Sequence, residues 1–166
     1  MSAMAGKKGQ PGAGRSAARF LAVQALYQAS LSDISVDRLL AEFEQHRLQQ
    51  DLDGADLLPA DLPLFRDLVK GASAAADRLD DMLAAVLDED WTVERLDLLL
   101  RALLRAGIYE LSERLDVPAR VVVSEYVDLA HAFFHEREPG MVNGMLDRLA
   151  RDLRIEEFEP AHQPPD

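Results

Sequence analysis

The segment from Leu96 to Leu111 constrains the fold of this chain most strongly. Its apolar side chains recur at spacings of one, three and four residues, so they cover two sides of a helix. A helix that is apolar on two sides has to be enclosed by other elements. The sequence therefore predicts a central core helix here, built on Leu96, Leu99, Leu100, Leu103, Leu104, Ile108 and Leu111.

The other apolar segments also repeat at helical spacing. Helices are predicted from about Ser16 to about Leu31, from near Ser35, across residues 64–86, and in the stretches before and after a turn at Glu136–Gly140. Residues 64–86 fit either one long helix or two short ones, and Gly71 is a point of close packing or bending. Asp61 is predicted to cap the helix that follows a loop at residues 51–63.

Residues 121–123 are all valine and have strand propensity, but a helix is predicted there. Tyr126, Leu129 and Phe133 continue the spacing of threes and fours, and Pro118 suits a first helical turn. No partner strand is evident elsewhere in the sequence. The predicted fold class is all-α, a compact bundle of six to seven helices.

Composition divides the chain into three parts. Residues 1–14 are rich in glycine and are predicted to form a flexible basic arm. Residues 15–154 are predicted to form one helical domain with two subdomains, at about 15–88 and about 92–154. Residues 155–166 are predicted to be an acidic tail.

Positive charge is concentrated at the start of the chain. The net charge is −12, yet residues 1–32 hold four bases and no acid. The other 134 residues hold 30 acids against 14 bases, a balance of −16. An anionic protein repels a phosphate backbone on average, so any nucleic-acid contact is expected near the cationic end.

Residues that could act in catalysis or bind a metal do not occur at the spacing that such sites require. The sequence contains no cysteine, no phosphate-binding loop and no nucleophile elbow. His131 and His135 are four residues apart, but no adjacent Glu or Cys completes a metal site, so they are predicted to be surface histidines. We expect no enzyme activity, cofactor or metal.

The apolar run after Arg19 is interrupted by Gln24, which favours an amphipathic helix of a cytoplasmic protein over a signal peptide or membrane span.

Three stretches together resemble the NusB family of bacterial transcription antitermination and ribosomal-RNA processing factors. They cover nearly the whole chain after the arm and keep the family's order and spacing. They are Ala22-Val-Gln-Ala-Leu-Tyr27 behind a basic arm; Trp91 and Arg95 followed by Leu103-Leu-Arg-Ala-Gly-Ile-Tyr-Glu-Leu111 and Asp116-Val-Pro118; and Val142-Asn-Gly-Met-Leu-Asp147.

The resemblance implies a helical protein that pairs with the ribosomal protein NusE. The pair binds the boxA element, a single-stranded RNA, in the transcription elongation complex, with no membrane involved. Single-strand binding needs cations for phosphates and aromatic faces for bases. The arm and first helix offer Lys7, Lys8, Arg15 and Arg19 as cations. By resemblance, Tyr27 and Phe133 match aromatic positions that approach RNA, and Arg137 falls in the loop that borders it.

The residues also leave other interpretations open. Tyr27 is as well suited to core packing as to RNA contact, and for Phe133 core packing is favoured. Ser16 and Ala17 interrupt the denser arginine cluster of the family, and Gly140 and Met141 replace a basic residue and an aromatic before Val142. We therefore expect weak RNA binding in the absence of NusE.

The sequence also suggests two rival functions. NusB-like domains also precede the catalytic part of ribosomal-RNA cytosine methyltransferases, but those enzymes use a cysteine nucleophile, which this sequence lacks. The remaining alternative is a protein–protein adaptor or a homodimer without direct RNA binding.

Overall fold

The computed structural model describes residues 13–52 and 60–159, and side chains within 14–46 and 60–159. These residues form α-helices and no strand, which confirms the all-α prediction. A 3-10 turn, Val93–Arg95, precedes α5. The helices are α1 (Ala13–Leu31), α2 (Val36–Leu52), α3 (Leu62–Ala74), α4 (Ala76–Ala84), α5 (Leu98–Glu113), α6 (Ala119–Phe133), α7 (Glu138–Leu153) and α8 (Ile155–Phe158).

Side chains at the helix starts satisfy exposed backbone N–H groups. Asp61 accepts a hydrogen bond from the Leu64 amide at 3.0 Å, which confirms the predicted cap of α3. Ser35 accepts one from the Arg38 amide at 3.2 Å and so caps α2. Asp97 caps α5 by accepting from the Leu99 and Leu100 amides, although the sequence placed the start of that helix near Leu96.

The structure decides two boundaries that the sequence left open or misplaced. Residues 62–84 form two helices, because α3 ends and α4 begins around Ala75. The turn predicted at Glu136–Gly140 is shorter than expected, because α7 already begins at Glu138. Pro139 occupies the first turn of α7, where its missing N–H breaks no helical hydrogen bond.

Helix α5 is the centre of the bundle, as predicted. It packs against α1, α3, α4, α6 and α7. Leu103, Leu104, Ile108 and Leu111 of α5 are completely buried. One continuous apolar core joins residues from α1 to α7, so the N-terminal and C-terminal helices share it rather than forming separate cores.

The C-terminal end of α5 is held by Arg154, which immediately precedes the segment predicted to be a tail. Arg154 is buried and donates hydrogen bonds to the carbonyls of Leu111, Arg114 and Val117 at 2.7 to 2.9 Å. Its partner Glu157, on α8, accepts from the Ala119 amide at 2.9 Å. The first residues after 154 therefore form a short helix that links the end of α5 to the start of α6.

None of the helices within the described ranges is both long enough and apolar enough to span a lipid bilayer.

Candidate functional site

Helix α1 and the connection between α6 and α7 carry the site residues predicted from the sequence. Arg15, Arg19 and Tyr27 lie on α1, and Phe133 is the last residue of α6. Arg137 immediately precedes α7. Lys7 and Lys8 lie outside the described residues, so their predicted phosphate contacts stay predictions.

Arg19 lacks the exposure expected of a phosphate-binding residue. Its side chain is 2 % exposed, and it donates from Nε and Nη2 to the Glu110 carboxylate at 2.9 and 2.7 Å. Burial opposes the charge of Arg19, but the hydrogen bond and the charge of Glu110 outweigh it and raise the pKa of the guanidinium. In this structure Arg19 is a core ion-pair partner, and we remove it from the candidate phosphate contacts.

The same ion pair ties three helices together. The Tyr126 hydroxyl on α6 donates to Glu110 Oε1 at 2.9 Å. Glu125 lies 3.7 Å from Arg19 Nη1 and accepts from the Ser16 hydroxyl at 2.9 Å. Complete burial, and then the nearby Glu110, raise the pKa of Tyr126 well above its usual value. The network holds α1 against α5 and α6. It thereby determines which side of α1 faces the solvent.

Arg15 remains accessible. Its side chain is 42 % exposed, and its nitrogens lie 3.9 Å from one carboxylate oxygen each of Asp61 and Asp116. Ion pairs that long and that exposed contribute little to stability. Arg15 can therefore turn to a phosphate at small cost.

Phe133 stacks on Phe20 of α1. The ring centroids are 5.4 Å apart with an angle of 9° between the planes, and Phe134 meets Phe133 edge-on at 6.5 Å. Phe20 is 37 % exposed, whereas Phe133 is half-buried. Phe20 was not among the site residues predicted from the sequence. The signal was available, since Phe20 lies outside the run of small core residues on α1 and directly follows Arg19.

Tyr27 is half-buried and packs against the core, so it is neither fully inward nor fully exposed. Its hydroxyl has no hydrogen-bond partner among the described residues. Phe20 precedes it by seven residues, which places both on one side of α1 about 10 Å apart. Phe20, Tyr27 and Phe133 are called the aromatic surface below.

Arg137 is exposed and lies over an aromatic ring that the sequence analysis did not assign to the site. Its guanidinium carbon is 5.3 Å from the centroid of Trp91, and that of Arg95 is 6.0 Å from the same centroid. Both distances are typical of cation–π contacts. Arg137 is therefore both solvent-accessible and next to a half-buried indole.

Comparison with known proteins relates this arrangement to one family. The model of the NusB family matches residues 16–151. A protein of Nitrobacter hamburgensis named transcription antitermination protein NusB is 51 % identical over 144 residues, which cover 87 % of this chain and 90 % of that protein. A Bradyrhizobium protein of the same name is 49 % identical over 146 residues, covering 88 % of this chain and 86 % of that one.

Solved structures agree with the fold. NusB from T. maritima superposes with a TM-score of 0.72 at 26 % identity, covering 87 % of this chain and 96 % of that chain. NusB from Aquifex aeolicus superposes with a TM-score of 0.62 at 24 % identity, covering 91 % of this chain and 95 % of that chain; at that identity the likeness supports the fold alone.

Proposed function

The chain belongs to the NusB family, and on that premise we propose that it binds boxA-type single-stranded RNA together with the ribosomal protein NusE. In this role it acts in the bacterial cytoplasm as a transcription antitermination and ribosomal-RNA processing factor, joined to the transcription elongation complex. Its relatives at about half identity are named transcription antitermination proteins, which supports the general role.

The aromatic surface is the observation that best supports the proposed RNA binding. Phe20 and Phe133 form a stacked pair at the surface, and Phe20 lies on the same side of α1 as Tyr27. Unstacked bases bind to aromatic faces, and each stack contributes about 1–3 kcal/mol. A half-buried tyrosine whose hydroxyl has no described partner can also donate a hydrogen bond to a base edge.

Phosphate contacts are assigned to cations around this surface. Arg15 and Arg137 are accessible in the structure, and Lys7 and Lys8 precede α1 in the sequence. These few cations act against a net charge of −12. Long-range repulsion therefore weakens binding by the chain alone, and NusE is expected to supply further contacts.

Fluorescence anisotropy of a labelled boxA-type RNA tests the proposal. The full chain is titrated alone and with NusE at several salt concentrations. Binding that strengthens with NusE and weakens with salt is expected, with a slope of roughly −0.7 per phosphate contact. Equal affinity with and without NusE would contradict the dependence on a partner.

Removing residues 1–12 separates RNA binding from an adaptor role. This truncation keeps Gly14, whose carbonyl accepts from the Asp61 amide at 2.9 Å, so the start of α1 keeps its anchor. Loss of RNA affinity with retained NusE binding is expected. An adaptor without RNA contact would bind NusE and show no RNA signal in either form, and native mass spectrometry would reveal a homodimer.

A further inference from the structure

Cations without an acidic partner are concentrated at one place on this anionic protein. Ten of the fourteen arginines with described side chains lie within ion-pair distance of a carboxylate. Among the described residues, the four others lack such a partner. Three of these four, Arg95, Arg137 and Arg148, surround Trp91 or the groove that Trp91 lines.

The groove lies between the end of α4, the Trp91 segment and the first half of α7. It has a volume of about 490 Å³, within the range of small-molecule sites. The α7 side of the groove is open at Gly140 and Gly144, because a side chain added at either position would meet no atom within 4 Å. Met141 and Met145 supply apolar surface, and Asp88 is the one carboxylate among the groove-lining residues that the structure describes.

This combination matches the chemistry that recognises an unstacked nucleobase. Bases of single-stranded RNA stack on aromatic rings and on the planes of arginine guanidinium groups. Trp91 offers the ring, Arg95 offers a guanidinium plane beside it, and Arg137 and Arg148 add positive charges for the phosphates on either side of the base. We infer that this groove, called the Trp91 groove, binds one nucleotide of the RNA strand.

The inference deepens the proposed function and rests on it. Phe133 and Arg137 are four residues apart, so their Cα atoms are at most about 14 Å apart even in an extended chain. A short RNA strand can therefore contact the aromatic surface and the Trp91 groove together. An acidic peptide would also be attracted by the arginines, but it would make no use of the indole face, so a nucleotide is the better match.

Trp91 is the only tryptophan among the 166 residues, so its fluorescence reports on the groove directly. The full chain, alone and with NusE, is titrated with a boxA-type RNA while Trp91 is excited at the red edge of its absorption, which avoids the three tyrosines. Quenching of Trp91 is expected with the same midpoint as the anisotropy change. Polyglutamate is titrated in parallel as the peptide probe.

A pair of variants measures the contribution of the groove. The double substitution R137Q/R148Q is expected to weaken RNA binding by roughly ten-fold and to make the salt slope less steep by about 1.4. Arg120→Gln is the matched control. Arg120 also lacks a described carboxylate partner and lies 5.2 Å from the Phe158 ring, but it lies outside the Trp91 groove. Its substitution should leave the Trp91 quenching unchanged.

The outcomes separate this inference from the proposed function. RNA binding without quenching of Trp91, and with R137Q/R148Q equal to wild type, would overturn the groove assignment and leave the proposed function intact. Quenching by polyglutamate and not by RNA would reassign the groove to a peptide and overturn the inference. Absence of RNA binding in all conditions would overturn both.

Discussion

Arg19 on α1 and Glu110 on α5 form a hydrogen-bonded ion pair in the core of the protein. The Nε and Nη2 atoms of Arg19 donate at 2.9 and 2.7 Å, and the two side chains are 2 % and 0 % exposed. The Tyr126 hydroxyl also donates a hydrogen bond to the same carboxylate. Because the carboxylate is removed from water, its interaction with Arg19 contributes to the docking of α1 on α5.

Arg19→Ala is therefore expected to destabilise the protein by about 3–5 kcal/mol, because it leaves the Glu110 charge buried without its main partner. Urea unfolding followed by circular dichroism measures the change. Arg38→Ala is the matched control, since Arg38 is 74 % exposed and its pair with Glu42 should contribute less than about 0.5 kcal/mol. Equal effects of the two substitutions would show that the buried ion pair contributes no more to stability than the exposed one.

Gly71 of α3 lies against the ring of Tyr109 on α5. A Cβ atom at Gly71 would overlap the Cζ and Cε2 carbons and the hydroxyl oxygen of Tyr109. The ring is held in place because the Tyr109 hydroxyl donates to Asp67 at 2.7 Å. Burial and this bond to Asp67 raise the pKa of Tyr109 to about 12, so the hydroxyl stays protonated at neutral pH.

We expect Gly71→Ala to destabilise the protein by about 1–3 kcal/mol, because the Tyr109 ring has to move and weaken its hydrogen bond. The control is Gly144→Ala on α7, where no atom lies within 4 Å of the added methyl. Alanine has the higher helix propensity, so that substitution should be neutral or stabilising by up to about 1 kcal/mol. Thermal unfolding of both variants distinguishes a clash from a helix-propensity effect.

Asp80 of α4 joins that helix to α5. It accepts hydrogen bonds from Arg105 at 2.7 and 2.5 Å and from Arg101 at 2.9 Å. Burial alone would raise the pKa of Asp80, but the two arginines outweigh it and lower the pKa below its usual 3.8. The stabilisation is fully present above the unfolded-state pKa and is lost as the pH falls through the lower folded-state value.

Asp80→Asn should therefore destabilise the protein by about 1.5–3 kcal/mol at neutral pH, since hydrogen bonds to charged groups contribute that much. The difference from wild type should shrink as the pH falls below about 4. Urea unfolding at a series of pH values provides the test. Asp81→Asn removes the neighbouring exposed carboxylate and should cause a smaller, less pH-dependent change. If the stability difference between wild type and Asp80→Asn grew as the pH fell, the stabilisation would not come from the charged form of Asp80.

The sequence predicted the fold well because apolar spacing determines which helix faces are buried. The central position of α5 followed from its two-sided apolar pattern, and the Asp61 cap followed from a side chain next to its own helix. The role of Arg154 could not be predicted in this way. Its partners are carbonyls about forty residues earlier in the chain. The apolar spacing of the sequence does not indicate a polar contact between residues so far apart.

The site was harder to predict for the same reason. Arg19 looked like a surface cation because its neighbours Lys7, Lys8 and Arg15 are basic, but its partner Glu110 is 91 residues away. Phe20 differs in the sequence from the small core residues of α1, but its stacking partner Phe133, at the end of α6, is evident only in the structure. The resemblance to the NusB family assigned Tyr27, whereas pairs between helices required coordinates.

The contribution of the aromatic surface to RNA binding is measured best at Phe20. Phe20 is 37 % exposed, so its replacement by leucine keeps most of the apolar volume, removes the ring and leaves the core intact. If a base stacks on the Phe20–Phe133 pair, Phe20→Leu loses part of a stack that contributes about 1–3 kcal/mol, and RNA affinity falls roughly five-fold or more. The salt slope should not change, because no charge is removed.

The matched control for Phe20→Leu is Leu31→Ala, which changes a 59 % exposed apolar residue at the far end of the same helix. Anisotropy titrations with boxA-type RNA in the presence of NusE compare the two variants, and circular dichroism confirms that both keep their helix content. An unchanged RNA affinity for Phe20→Leu would mean that the stacked pair only packs α1 on α6. A loss of affinity accompanied by a changed salt slope would mean that phosphate contacts near Arg15 were displaced instead of a base.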